Sequence, residues 1–148
     1  MNIRLAQPGD VKELAQMNLQ LNQDERDGMA WTPAIMEKRM RDWLTGGEHT
    51  VLIIEADGQV AGFAVFHEEP DEYLPARSCV YVSHFFIKRQ HRMNQLGRRA
   101  FEMIAEQYIP AGLKIDLSVL ETNPQGRVFW EKLGFKPYSA RFYRLKKS

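Results

Sequence analysis

The sequence predicts an α/β domain in which helices and strands alternate along the chain and stack in two or three layers. Three observations predict it. Apolar residues switch repeatedly between a period of two and a helical period, with no Pro/Gly/Ser linker between them. Asp57-Gly58 separates two β-branched, apolar runs in the manner of a tight hairpin turn. A largely apolar run, Ser78 to Ile87, passes through a basic turn into a long amphipathic segment and then another strand-like run, which is a strand–helix–strand crossover.

Taken in order, Ile3 and Leu5 alternate with polar residues as a short strand does. Pro8-Gly9-Asp10 supplies a turn and a cap, after which Val11, Leu14, Met17 and Leu21 share one helical face. Gln23 to Gly28 reads as a polar loop. Thr32-Pro33 starts a second helix, because proline at the first helical position forfeits no hydrogen bond. Met36, Met40, Trp43 and Leu44 form its apolar stripe, and Gly46-Gly47 end it. The hairpin Thr50–Glu55 and Val60–Phe66 follows, then an acidic loop from Glu68 to Pro75. Ser78 to Ile87 is apolar enough to be a strand covered on both faces. Arg89 to Asn94 is a basic turn, and Leu96, Ala100, Met103, Ile104 and Tyr108 mark the long helix. Gly112 to Val119 is expected as a strand, Asn123 to Leu133 as a short helix stopped by Gly134, and Phe142 to Leu145 as a last strand.

Composition narrows the possibilities. A chain of 148 residues suits one domain, residues 1–148, with a real core. A formal net charge of +1 provides no field for nucleic acid, so none is expected as a partner. The single cysteine, Cys79, leaves no internal disulfide and suits a reducing compartment. Met1-Asn2-Ile3-Arg4 opens without the apolar stretch of a signal peptide, and runs such as Val51–Ile54 are too short to cross a bilayer. A cytoplasmic protein without a membrane partner is expected. No His/Cys/carboxylate group has metal-ligand spacing, so no metal is expected.

The stretch His84-Phe85-Phe86-Ile87-Lys88-Arg89-Gln90-His91-Arg92-Met93-Asn94-Gln95-Leu96-Gly97-Arg98-Arg99-Ala100 is the first to suggest chemistry. It carries a strand through a basic turn to the start of a helix. Helix N-termini present unpaired amides and partial positive charge, so this one, flanked by Arg92, Arg98 and Arg99, suits a pyrophosphate. Gly97 would permit close backbone approach. By itself the segment reads equally well as a solvated basic turn.

The C-terminal segment Asn123-Pro124-Gln125-Gly126-Arg127-Val128-Phe129-Trp130-Glu131-Lys132-Leu133-Gly134-Phe135 tips the balance. An asparagine, a short helix ending in an aromatic and Glu-Lys, and then Gly-Phe resemble a signature of the GNAT superfamily of acetyl-CoA-dependent N-acetyltransferases. Arg92, Gln95 and Gly97 resemble that family's cofactor motif, with Gln95 where a glycine usually stands. With the Asp57-Gly58 hairpin leading into Gly62-Phe63, the resemblance spans nearly the whole chain.

The resemblance implies a mixed, mostly antiparallel sheet with helices on both faces and a central strand pair that splays. Acetyl-CoA would lie in the gap. Backbone groups of Phe85 and Ile87 would pair with its pantetheine arm, one amide there holding the thioester carbonyl oxygen. Amides of Met93, Asn94, Gln95, Leu96, Gly97 and Arg98, beside Arg92, would cradle the pyrophosphate, and Asn123 would bond the arm. Trp130, beside the cofactor, stands where many relatives have a tyrosine that protonates the departing thiolate. Indole cannot act as that acid, but a thiol of pKa roughly 8.5 leaves tolerably without one. Tyr138 and Tyr143 are candidate substitutes, which spacing alone does not establish.

The acceptor amine, with a pKa near ~10.4, must lose a proton before it attacks. His84 is the leading candidate base, because an ordinary imidazole titrates near neutrality. Ser83 and Glu68 are alternatives, with Glu69 and His67 nearby; a core role for His84 stands beside the catalytic one. Side chains alternate on a strand, so Ser83 and His84 are expected to face opposite ways. Glu68, Glu69, Asp71 and Glu72 either steer a cationic acceptor or form a wet loop. The acidic loop with Glu72-Tyr73 and the ending Arg141-Phe142-Tyr143-Arg144 are similar to those of bacterial aminoglycoside acetyltransferases, though Ser83 stands where some of these have a glutamate. A small-molecule amine is the expected acceptor. A peptide or protein amine, or a non-catalytic module with a degenerate loop, are the alternatives. Relatives in the family are often homodimers, and pairing of C-terminal strands between subunits is the expected route.

Overall fold

The computed structural model describes residues 1–148. In chain order the elements are β1 (Asn2–Leu5), α1 (Val11–Glu25), α2 (Pro33–Gly46), β2 (Thr50–Ala56), β3 (Gln59–Pro70), β4 (Ser78–Ile87), α3 (Leu96–Tyr108), β5 (Lys114–Leu117) and α4 (Pro124–Lys132). The strands form one sheet in the order β1-β2-β3-β4-β5. Every neighbouring pair is antiparallel except β4 and β5, which the crossover through α3 makes parallel.

Helices cover both faces of the sheet. Val11, Leu14 and Met17 of α1 and Met40 of α2 pack on Val51, Ile53, Phe63, Val65 and Phe86. On the other face Leu96, Ala100, Phe101 and Ile104 of α3 pack on Leu52, Ile54, Ala64, Phe66, Val80 and Val82. The central strands are apolar on successive residues because each face has its own helix layer to meet. Thr32 caps α2, its hydroxyl accepting the Ile35 amide at 3.3 Å, with Pro33 behind it as the sequence predicts. Asp57 and Gly58, at φ of 53° and 74°, make the two-residue β2–β3 turn. No helix is long and apolar enough to cross a membrane.

Four expectations need correction. The acidic segment is not a loop from Glu68 onward: β3 runs to Pro70, which pairs with Ser78 of β4. Backbone pairing with β4 holds Glu68 and Glu69 extended without help from apolar side chains. Helix α1 likewise continues to Glu25, and Arg26 stops it at φ 54°. Strand β5 holds only Lys114–Leu117, because the chain turns away from β4 after Leu117. Finally, Phe142 to Leu145 form no strand. No sheet edge pairs with them and no core receives them, so Phe142, Tyr143 and Leu145 are 90%, 92% and 86% exposed.

Candidate active site

Strands β4 and β5 pair only from Cys79/Lys114 to Val82/Leu117, whereas β4 continues to Ile87. Its last residues therefore have no neighbour on the β5 side. The Lys88 amide donates to the Ala61 carbonyl at 2.7 Å, and Gly62 stands opposite Ile87, Ala64 opposite Phe85. Antiparallel residues alternate in the edge to which they bond. Phe85 and Ile87 accordingly turn their backbone groups away from β3, toward the opening. The Ile87 carbonyl is already met by Arg92 Nε at 2.6 Å.

The start of α3 borders the same opening. The amides of Met93, Asn94, Gln95, Gly97 and Arg98 have no acceptor within the protein. Asn94 and Gln95 are both left-handed, at φ of 55° and 56°, so the chain coils sharply before the helix. A side chain at Gln95 is strained by on the order of 1–2 kcal/mol in this conformation, which glycine would adopt freely. Arg98 and Arg99 are exposed and form no ion pair. Free donors and unpaired guanidinium groups at a helix N-terminus fit the diphosphate of a coenzyme.

Other predicted cofactor residues have different partners. The Leu96 amide is used by Met93 O at 3.2 Å and its side chain is buried. Arg92 folds back, with Nη2 on Asp24 at 2.5 Å and its guanidinium 5.1 Å from the Phe86 ring, so its side chain braces the turn. Burial opposes charge on Asp24, but hydrogen bonds from Arg89 and Arg92 outweigh it and hold the carboxyl low. A Cβ on Gly97 would meet Phe129 at 3.1 Å, so this glycine makes room for α4. Asn123 Oδ1 accepts the Gly126 amide at 3.1 Å and caps α4. Trp130 lies between 4.9 and 5.4 Å from the rings of Phe85, Phe101, Phe129 and Phe135. It closes the aromatic wall between α3 and α4.

On the α1/α2 face the register slips where Val65 pairs with His84 but Phe66 pairs with Val82. Ser83 is the extra residue of a β-bulge. The expected alternation fails there, and Ser83 and His84 come together: His84 Nδ1 is 3.0 Å from Ser83 Oγ. The Ser83 hydroxyl donates to the Val65 carbonyl at 3.3 Å, so its oxygen accepts from His84 Nδ1–H. This network assigns the tautomer and leaves Nε2 as an acceptor. Burial, with the charges of Arg39 and His49 adding to it, pushes His84 from 6.5 down to about 3. The imidazole is therefore neutral at pH 7, and the argument that it titrates near neutrality does not hold.

Around His84 is a chain of rings: Trp43 at 5.1 Å, His49 on Trp43 at 5.0 Å, and His67 on His49 at 5.0 Å. His67 Nε2 meets Glu69 at 3.0 Å, while its buried Nδ1 has no partner. His49, His67, Glu68 and Glu69 line an open cavity of about 680 Å³. Glu68 thus joins this cavity but pairs with Val80, well down β4 from the bulge. Asp71 neither steers nor lies in water: a hydrogen bond from Lys114, at 2.8 Å, leads the causes that hold it at about 2. Tyr138 is not brought to the bulge. It packs against Tyr73 and under Lys114, at the opposite end of β5 from the opening. Tyr143 is in the exposed tail. The sequence does not mark Arg39, shows Trp43 only as part of a helix stripe, and gives no sign of Tyr81, whose hydroxyl reaches Ser118 Oγ at 3.1 Å where the strands part. Only the fold brings these together; nothing in their spacing marks them.

Parted strands flanked by free helix-start amides and a bulged strand fit an acyl-coenzyme A. The chain belongs to the Acetyltransferase (GNAT) family, which matches residues 15–135. It is thus an acyltransferase with acetyl-CoA as co-substrate. No curated protein matches its sequence. Solved structures similar to it include a mutant of the Bacillus halodurans BH1408 protein, at 24% identity and TM-score 0.82, covering 99% of this chain and 100% of that one. Aminoglycoside 6'-N-acetyltransferase from Acinetobacter haemolyticus is 16% identical with a TM-score of 0.76, covering 100% and 99%. A predicted acetyltransferase from Clostridium acetobutylicum solved with acetyl-CoA is 17% identical with a TM-score of 0.73, covering 98% and 95%. At these identities the likeness is one of fold.

Proposed function

We propose that the protein acetylates a primary amine of a small molecule, and that residues 1–148 act as one domain. The observation that carries this is the set of unbonded amides of Met93, Asn94, Gln95, Gly97 and Arg98 beside the unpaired edge of β4. Bound there, acetyl-CoA supplies an activated acetyl thioester. Phe85 and Ile87 offer backbone groups to its arm, and Met93, Asn94, Gln95, Gly97 and Arg98 offer amides to its diphosphate. Asn123, its oxygen committed to the helix cap, keeps only its NH2 for the arm.

His84 Nε2 accepts a hydrogen bond from the incoming amine and orients its lone pair, fixed by Ser83 through Nδ1. A nitrogen held near pKa 3 cannot retain the proton, so the proton passes to water; the cavity of the Glu69–His67 pair lies beyond the rings of Trp43 and His49. The recess favours a small acceptor because its walls are ring against ring from His84 to His67.

The free, buried Cys79 supports a reducing, cytoplasmic setting. The exposed tail with Phe142, Tyr143 and Leu145, and the unpaired outer edge of β5, support a homodimer in which each tail adds a strand to the other sheet. The test of the transferase reading is acetyl-CoA-dependent thiol release over a panel of primary amines. Turnover with at least one amine, and none with tertiary amines, is expected; no release with any amine by folded protein contradicts it.

A further inference from the structure

Arg39, on α2, is a half-buried cation without a counterion. It forms no salt bridge and no hydrogen bond, although other cations such as Lys38, Arg89 and Arg92 are paired. Its guanidinium instead lies 4.9 Å from the Trp31 ring centre and 5.4 Å from that of Trp43. Rings hold the position of the group but do not satisfy its N–H donors, which lie in the guanidinium plane. The Trp31 indole is itself anchored, its Nε1 donating to Asp27 at 2.9 Å. Asp27 also receives Asn22 Nδ2 at 2.7 Å and the Met29 amide at 3.0 Å, so its oxygens are spoken for and Arg39 does not pair with it.

The same Trp43 ring touches His84. The guanidinium is therefore one indole away from the nitrogen that receives the amine. The carboxylates that line the cavity, Glu48, Glu68 and Glu69, form no ion pair with Arg39. A rigid fork of unused donors beside an amine-orienting group is what a carboxylate needs for two-point recognition.

We propose that the acceptor is a small amino acid or amino-acid-like zwitterion whose carboxylate is bound by Arg39 while its amine meets His84. This rests on the transferase reading and names its substrate class. A polycation such as an aminoglycoside would set like charge against an unneutralised guanidinium, and is disfavoured.

The test uses matched compounds, each amino acid beside its carboxamide, in the thiol-release assay. It is joined by a turnover-independent titration of the N-acetylated acid and its amide, read by quenching of tryptophan fluorescence. Wild type is expected to prefer acid over amide by about tenfold or more in both measurements, the scale of a charged hydrogen-bonded pair. Arg39→Met, which keeps an apolar stem between the indoles, should collapse that ratio toward one, and Arg39→Lys should restore part of it. Equal use and equal binding of acid and amide by wild type overturn the inference while leaving transfer to neutral amines intact. A ratio undiminished in Arg39→Met also overturns it. If no amine is acetylated yet the acid still binds better in an Arg39-dependent way, the carboxylate site stands and the transferase reading falls.

Discussion

An imidazole held neutral stabilises a fold differently from one held charged, and His84 provides a direct readout of which applies. Its pKa is lowered from 6.5 to about 3, mainly by burial. Between those values the unfolded chain binds a proton that the folded chain refuses, so stability rises with pH across that window and is lost as pH falls through it. Glu25 opposes this: burial, then Asp27 and Asp24, raise it to about 6, so its contribution falls as pH rises from 4.5 through 6. The difference between wild type and His84→Gln isolates the histidine. Denaturant melts should show the variant losing less stability than wild type between pH 6.5 and 4; parallel losses would place His84 in solvent. The residue types of the site were readable in sequence, and so was the oddity of Gln95. Its cause was not, because a left-handed φ of 56° is a property of the turn and not of glutamine.

At the scale of elements, strand pairing controls the site. Gly62 lies opposite Ile87, and a Cβ there would stand 2.1 Å from the Phe86 carbonyl oxygen. Gly62→Ala must push β3 and β4 apart just where β4 lines the opening. We expect a loss of about 1–3 kcal/mol in thermal or denaturant unfolding and weaker acetyl-CoA binding; an unchanged midpoint would show that the strands yield freely. Periodicity and turn chemistry made most elements legible: α2 between Thr32 and Gly47, the Asp57-Gly58 hairpin, β4, and α3 from Leu96 to Tyr108 all stand where their residues predict. The bulge at Ser83 was hidden because it depends on the register of β3 against β4, which no local pattern encodes. Phe142–Leu145 has strand-like residues but pairs with neither edge of its own sheet, and composition alone does not say which edge a strand will find.

At the scale of the whole molecule, the proposed transfer rests on the division of the sheet into an antiparallel body and a short parallel pair. The body carries the ring-walled recess on the α1/α2 face, and the parting of β4 from β5 opens the way to the free amides of α3. If the exposed tails join two such molecules, sedimentation at micromolar protein should give twice the mass of the chain, and deletion of residues 139–148 should return it to one; a wild-type monomer would remove the dimer. The most direct test of the coenzyme site is amide hydrogen exchange with and without acetyl-CoA. Protection should appear at Phe85, Ile87 and the amides from Met93 to Arg98 that have no partner in the free protein. Saturating acetyl-CoA that leaves these amides exchanging at their original rates would contradict it.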